Sequence, residues 1–207
     1  MDPLIQYLRS HRWARRGLSL LSVALLATAV GLLGYPVYTN VYHNRVQNRL
    51  ESQLASPELK QAYENRAVKI GDSLTRIKIP ALGVDTVVVE GTSASALRAG
   101  AGHYPKTALP CEEGNVGIAG HRTTYGKPFA NIDRLRPGDA IILETPIGSC
   151  TYEVAKPAYI VTPRDFSIVA DTPGEKNLTL TSCHPKHSAK QRIVIRATFV
   201  KGTPVKA

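Results

Sequence analysis

From Leu18 to about Tyr38 the chain is apolar on every side, through Leu20, Leu21, Val23, Leu25, Leu26, Val30, Leu32 and Leu33. No Asp, Glu, Lys or Arg occurs from Gly17 to Asn44. A helix needs roughly 20 such residues to cross a bilayer, and this run supplies them. A buried core helix is the alternative, but it seldom stays apolar all round for so long. The pattern then changes. Val46, Leu50 and Leu54 recur four apart in a polar background, which predicts a short amphipathic helix. Pro57 interrupts it, and Glu58–Lys69 reads as a second helical piece. A free stalk and a helix packed on a domain both produce this pattern. At Gly71 the texture changes again. Thr75–Ile79, Thr86–Glu90, Asn115–Ala119, Ala140–Glu144, Thr151–Ala155, Ala158–Thr162, Leu178–Thr181 and Arg192–Val200 are short and rich in Val, Ile, Thr and Tyr. Pro80, Gly83, Gly138-Asp139, Pro163 and Pro173-Gly174 separate them. Many short strands between turn residues predict an all-β barrel or sandwich, with one short helix at Ser93–Ala99.

Charge refines the picture. The 26 Lys and Arg against 16 Asp and Glu leave +10 overall. From Gly71 onward there are 17 basic and 12 acidic residues, only +5 and well mixed, which argues against a nucleic-acid surface. The one-sided stretch is the beginning, where Arg9, Arg12, Arg15 and Arg16 oppose only Asp2. Arg45 and Arg49 follow the apolar run. The stronger positive cluster keeps the N-terminus in the cytoplasm and sends the bulk of the chain outside. Trp13, Tyr35, Tyr38 and Tyr42 flank the run as interfacial anchors do. Ala27-Thr28-Ala29 has the form of a signal-peptidase site, but the apolar stretch continues through Leu33, so an uncleaved signal anchor is the better reading.

The candidate chemistry lies at predicted strand ends. Three cysteines, Cys111, Cys150 and Cys183, are too few for a disulfide scaffold and too far apart for a zinc ribbon. Cys183 ends the run Thr179-Leu180-Thr181-Ser182-Cys183-His184-Pro185. Pro185 has no N–H for a ladder, so the strand stops near Cys183 and presents it at a rim. Arg192 opens the next strand nine residues on, and His121 follows Gly117-Ile118-Ala119-Gly120. A thiol, an imidazole and a guanidinium are the parts of cysteine acyl transfer: nucleophile, proton carrier and oxyanion stabiliser. His184 and His187 beside Cys183 suggest a metal, but no second cluster completes a site. The sequence implies no metal and no cofactor.

These motifs resemble the sortases over about residues 71–200. Thr179-Leu180-Thr181-Ser182-Cys183 is similar to the sortase cysteine motif, with Ser182 in place of a threonine. Gly114-Asn115-Val116-Gly117-Ile118-Ala119-Gly120-His121-Arg122 looks like the histidine motif, and Arg192 matches the catalytic arginine. Gly102-His103-Tyr104-Pro105, Pro128-Phe129 and Leu135-Arg136-Pro137-Gly138-Asp139 match further landmarks. Cys183-His184-Pro185 and Gly120-His121-Arg122-Thr123-Thr124-Tyr125-Gly126 are most similar to class E, with class D the nearest alternative.

The resemblance implies a closed β-barrel of about eight strands with one or two short helices, behind a transmembrane helix and a helical stalk. The implied division is a cytoplasmic basic tail (1–16), a signal anchor (17–39), an extracytoplasmic stalk (40–70), a catalytic domain (71–203) and a C-terminal tail (204–207). The implied reaction is transpeptidation. Cys183 attacks a Leu-Ala-x-Thr-Gly or Leu-Pro-x-Thr-Gly sorting signal between Thr and Gly, His121 acts as general acid and base, and Arg192 stabilises the oxyanion. Tyr104, Thr181 and Ser182 are the expected substrate contacts, and Tyr104 is associated with the Leu-Ala preference. The expected partners are secreted proteins bearing the signal and the amine of a peptidoglycan precursor, at the membrane and without nucleic acid. A pilin-polymerising enzyme using a lysine amine and a catalytically silent tethered β-domain are the alternatives. Cys111 departs from the glycine usual in relatives. It is a candidate to pair with Cys150, which leaves Cys183 free.

Overall fold

The computed structural model describes residues 10–204. Asp2, Arg9 and the final residues of the expected C-terminal tail lie outside the described residues. The chain divides into two compact units, one up to Thr39 and one from Asn40 onward. Helix α1 (Arg12–Leu54) carries Pro36 without ending. The apolar run and the amphipathic stretch, expected as separate pieces, are therefore parts of one helix. In its apolar part Leu20, Leu25, Leu32 and Leu33 are all exposed. That part is long and apolar enough to cross a membrane.

The second unit is a β-barrel. Its strands are β1 (Ser73–Ile79), β2 (Val84–Glu90), β3 (Ala101–His103), β4 (Gly114–Ala119), β5 (Ala140–Thr145), β6 (Gly148–Val154), β7 (Tyr159–Val161), β8 (Lys176–His184) and β9 (Gln191–Pro204). The hydrogen-bonded order is β6-β5-β1-β2-β3-β4-β8-β9, and a β6–β9 pairing closes the ring at eight strands. β7 is a ninth, pairing with the start of β9 at Arg192–Val194. β2–β3 and β4–β8 are parallel, and the other pairs are antiparallel.

Alternation sets the core. Ile77, Ile79, Ile118, Ile141, Leu143, Leu178, Leu180 and Ile195 are fully buried and form one cluster with Phe129 and Tyr152. β2 departs from simple alternation, because Val87, Val88 and Val89 are all buried. Val88 belongs to the main core, while Val87 and Val89 pack with Leu50, Val46 and Leu54 of α1 and with Ala96. A strand covered on both faces loses its polar alternation. Ala96 lies in the short helix α3 (Ala94–Ala99), whose N-cap Ser93 accepts from the Ala96 N–H. Gln47 of α1 secures this layer. Its Oε1 accepts from the Val87 N–H at 2.7 Å, and its Nε2 donates to the Ala99 carbonyl at 2.8 Å. Helix α2 (Pro57–Glu64) has Ser56 as N-cap and buries Leu59 and Tyr63.

Candidate active site

Strand register brings the chemistry together. Cys183 on β8 is the direct partner of Arg192 on β9, which in turn faces Val161 on β7. On the other side of β8, Ala119 of β4 is in register with Thr181. The Gly120 N–H continues that pairing by donating to the Thr181 carbonyl at 3.1 Å. His121 therefore leaves β4 beside Cys183, each two residues beyond the Ala119–Thr181 pair. Side chains two apart share a face, and neighbouring strands lie roughly 4.8 Å apart. Arg192 thus lies directly across from Cys183, and the segment leading into His121 lies on the other side of the same strand, although 9 and 62 residues of sequence separate them from Cys183.

The three side chains differ in setting. Cys183 is half-buried and is the free cysteine, because Cys111 and Cys150 are joined by a disulfide with a Cα–Cα distance of 5.5 Å. The His121 ring stacks at a tilt on Tyr125, with centroids 5.5 Å apart. Burial, aided by the positive charge of Arg98, holds the His121 pKa below that of a free histidine. Nη1 of Arg192 donates to the carbonyls of Ala189 and Gln191 at 3.1 and 3.0 Å, so the guanidinium folds over the loop between β8 and β9. A free thiol on a strand between the arginine's strand and the strand leading into the histidine brings together the residue types of thioacyl chemistry.

A sortase-domain family profile matches residues 77–200. The chain belongs to the sortase family. Sortase SrtE1 of Streptomyces coelicolor is 30% identical over 197 residues, which cover 86% of this chain and 56% of that one. Sortase D of Bacillus subtilis is 36% identical over 109 residues, which cover 53% of each. The chain therefore spans just over half the length of these two relatives. The structure of a Sortase D5 transpeptidase from Clostridium perfringens matches with a TM-score of 0.67 at 29% identity, covering 77% of this chain and 98% of that one. Likeness to both E-named and D-named sortases agrees with the class E and class D resemblance of the motifs.

Within this sortase barrel the three expected substrate contacts lie on, or are bonded to, the strand that carries Cys183. The Tyr104 hydroxyl meets the Thr181 hydroxyl at 2.9 Å. Thr181 is buried, two residues before Cys183 on the same strand. Ser182 is buried too, and its hydroxyl donates to the Gly120 carbonyl at 2.7 Å, holding β8 to the end of β4. Gly120 is required there because a Cβ would run into the buried Phe129 ring. His103 is buried, with one ring nitrogen 2.7 Å from the Glu90 carboxylate and the other 2.9 Å from the Ala108 carbonyl.

Arg122 is a structural partner that residue patterns alone did not single out. It is 5% exposed, and its Nη2 pairs with the Asp133 carboxylate at 2.7 Å. Nη1 donates to His184 Nδ1 at 3.1 Å and reaches the Cys183 carbonyl at 3.4 Å. A guanidinium only donates, so Nδ1 of His184 carries a lone pair and the ring proton sits on Nε2. Arg122, the residue after His121, thus reaches Cys183 at its backbone. The sequence cue was an arginine directly after the strand-end histidine with an aspartate 11 residues on.

Proposed function

We propose that this chain is a membrane-anchored cysteine transpeptidase that cleaves a Leu-Ala-x-Thr-Gly or Leu-Pro-x-Thr-Gly sorting signal between Thr and Gly. The acyl part then passes to an amine of a cell-wall precursor. The observation that supports this reading is the direct pairing of Cys183 with Arg192 in a sortase barrel, on a strand whose other neighbour ends two residues before His121.

The reaction is a two-step acyl exchange. Cys183 Sγ, as thiolate, attacks the threonine carbonyl carbon and a C–S bond forms. The carbonyl electrons move onto oxygen, and Arg192 faces that oxyanion with a fixed positive charge. As the intermediate collapses the C–N bond to glycine breaks, and the imidazolium of His121 gives the leaving amine its proton. The neutral imidazole then takes a proton from the incoming amine, whose nitrogen attacks the thioester and releases the Cys183 thiolate. The proton count balances across the cycle, and no oxidant or metal enters it. Tyr104, bonded to Thr181 two residues before the thiol, is assigned to read the second position of the signal.

The arginine asymmetry about the apolar run supports a topology with residues 1–16 in the cytoplasm, 17–39 across the bilayer and the barrel outside, facing the wall. The test uses the full chain in detergent with fluorogenic peptides of both signals, with and without an amine acceptor. Expected are cleavage between Thr and Gly, an amine-dependent ligation product and a thioester adduct mapped to Cys183 by mass spectrometry. Turnover by the Cys183→Ala variant would overturn the mechanism.

A further inference from the structure

Catalytic histidines are ordinarily oriented by a third group that fixes the ring. Among the described residues no side chain hydrogen-bonds the His121 ring; its neighbour is the Tyr125 ring at 5.5 Å, tilted by 36°. Tyr125 is itself backed by Tyr42 of α1, edge-on at 6.2 Å and 76°. Aromatic pairs at such distances and angles are attractive and directional. A chain of three rings thus runs from α1 to His121.

The backbone carrying Tyr125 is unusual. Tyr125, Gly126 and Lys127 have φ of 49°, 71° and 41°, three consecutive left-handed residues of which only one is glycine. Such a run persists only where its surroundings impose it. The surroundings are on α1 again. A Cβ at Gly126 would overlap the ring of His43, the residue after Tyr42, so that ring lies directly against the turn. The buried Nδ1 of His43 has no hydrogen-bond partner among the described residues, so packing holds it there. A cavity of about 250 Å³, lined by His43, Leu82–Thr86, Gly126–Pro128, Ala130 and Asn131, lies along this contact. On the other side, the Lys127 N–H donates to the Thr124 carbonyl at 2.9 Å and the Phe129 N–H to the His121 carbonyl at 3.1 Å. The turn is short and closed, and it ends on His121 itself.

We infer that Tyr125 is the positioning residue for His121, and that Tyr42 and His43 of α1 set it by clamping the left-handed turn at residues 125–127. The stack takes the place of the hydrogen-bonding partner that fixes the ring in other acyl-transfer sites. This inference rests on the reading of His121 as proton carrier. It adds that residues of the helix preceding the barrel belong to the working site.

The experiment uses the full chain in detergent and measures kcat and KM for a sorting peptide with an amine acceptor. Misplacing a catalytic group by about an ångström can cost on the order of 10²-fold in rate. Tyr125→Leu and Tyr42→Ala are each expected to lower kcat by roughly tenfold or more, with peptide KM within about twofold, because the rings act on proton transfer. Tyr125→Phe keeps the ring and should retain near-normal kcat. His121→Ala is the reference. Adding Tyr125→Leu to it should cause no further loss, since a residue acting through His121 has nothing left to act on. A severely slowed but measurable His121→Ala together with full kcat in Tyr125→Leu and Tyr42→Ala would overturn the inference and leave the site reading standing. Full activity in His121→Ala would instead remove the site reading. Should Tyr125→Leu not fold, the exposed Tyr42→Ala and the epistasis of Tyr42→Ala with His121→Ala decide alone. A further tenfold loss in that double variant would refute action through His121.

Discussion

The disulfide joins two parts of the barrel far from the thiol, and its contribution can be separated from the chemistry. Cys111 and Cys150 lie 39 residues apart in sequence. Crosslinking a loop of that length removes chain entropy from the unfolded state worth about 4 kcal/mol. For a domain of this size each kcal/mol moves Tm by roughly 2–4 °C, so breaking the bond should lower Tm by roughly 8–16 °C. The measurement is loss of the β circular dichroism signal on heating, in a Cys183→Ala background that prevents thiol exchange. It compares the intact protein, the reduced protein and a Cys111→Ala/Cys150→Ala variant. Cys150 is 1% exposed, so reduction needs mild denaturant to open the site before buffer exchange. The double variant also loses buried volume and should fall slightly below the reduced protein. Activity, measured with Cys183 present, should survive at temperatures where both forms are folded. Cys150 is in register with Gly202 and Cys183 with Arg192, ten residues apart on β9, or about 33 Å along an extended strand. A Tm shift below about 3 °C would refute the loop-entropy argument. Loss of turnover in the folded variant would refute the independence of the two ends.

Arg192→Lys keeps a charge but loses the planar fork. It should lower kcat by about 10²–10³ with little change in KM, and near-normal kinetics in the folded variant would remove Arg192 from the site. Arg122→Met strips the Cys183 and Ala130 carbonyls and His184 Nδ1 of their donor and should cost about 1–3 kcal/mol in denaturant unfolding. Asp133→Asn should cost less because that carboxylate is 44% exposed, and the reverse order would contradict this assignment. Arg98→Gln removes a charge that disfavours the His121 imidazolium, so the His121 titration, followed by ring-proton NMR and the pH–rate profile, should move to higher pH. His121 binds its proton more weakly folded than unfolded. Its contribution to stability is therefore present above about pH 6.5 and lost as pH falls through the lower folded value.

The barrel was legible because its strands obey local rules. Eight apolar runs between Gly, Pro and Asp turns match eight observed strands, and Pro185 marks the end of β8 to within a residue. β3 was not legible. Three residues including Gly102 carry no period, and the strand exists because β2 and β4 lie on either side to pair with it. Nor could the pattern show that α1 continues unbroken past Pro36, since an exposed apolar helix tolerates a proline that sequence rules treat as a break. At the site, His121, Cys183 and Arg192 could be named from strand ends, because a strand end fixes where a side chain emerges. Arg122, Tyr125 and Tyr42 could not. Their parts depend on which way a loop turns after β4 and on a helix that meets it from about 80 residues upstream.

The grip of Gln47 on β2 bears on how this protein can be trimmed. Of β2, only Val88–Glu90 pairs with β3, and along Thr86 and Val87 the amide of Gln47 takes the place of a neighbouring strand. A polypeptide begun near residue 70 would leave that edge open, with Val87 and Val89 bare above it. An unpaired edge beside exposed valines is a template for strand addition between molecules. A soluble version cut to the barrel alone should therefore self-associate through β2, whereas one begun at Asn40 carries its own edge protection. The same helix that stacks on Tyr125 through Tyr42 thus shields the barrel from its own copies through Gln47, five residues farther along.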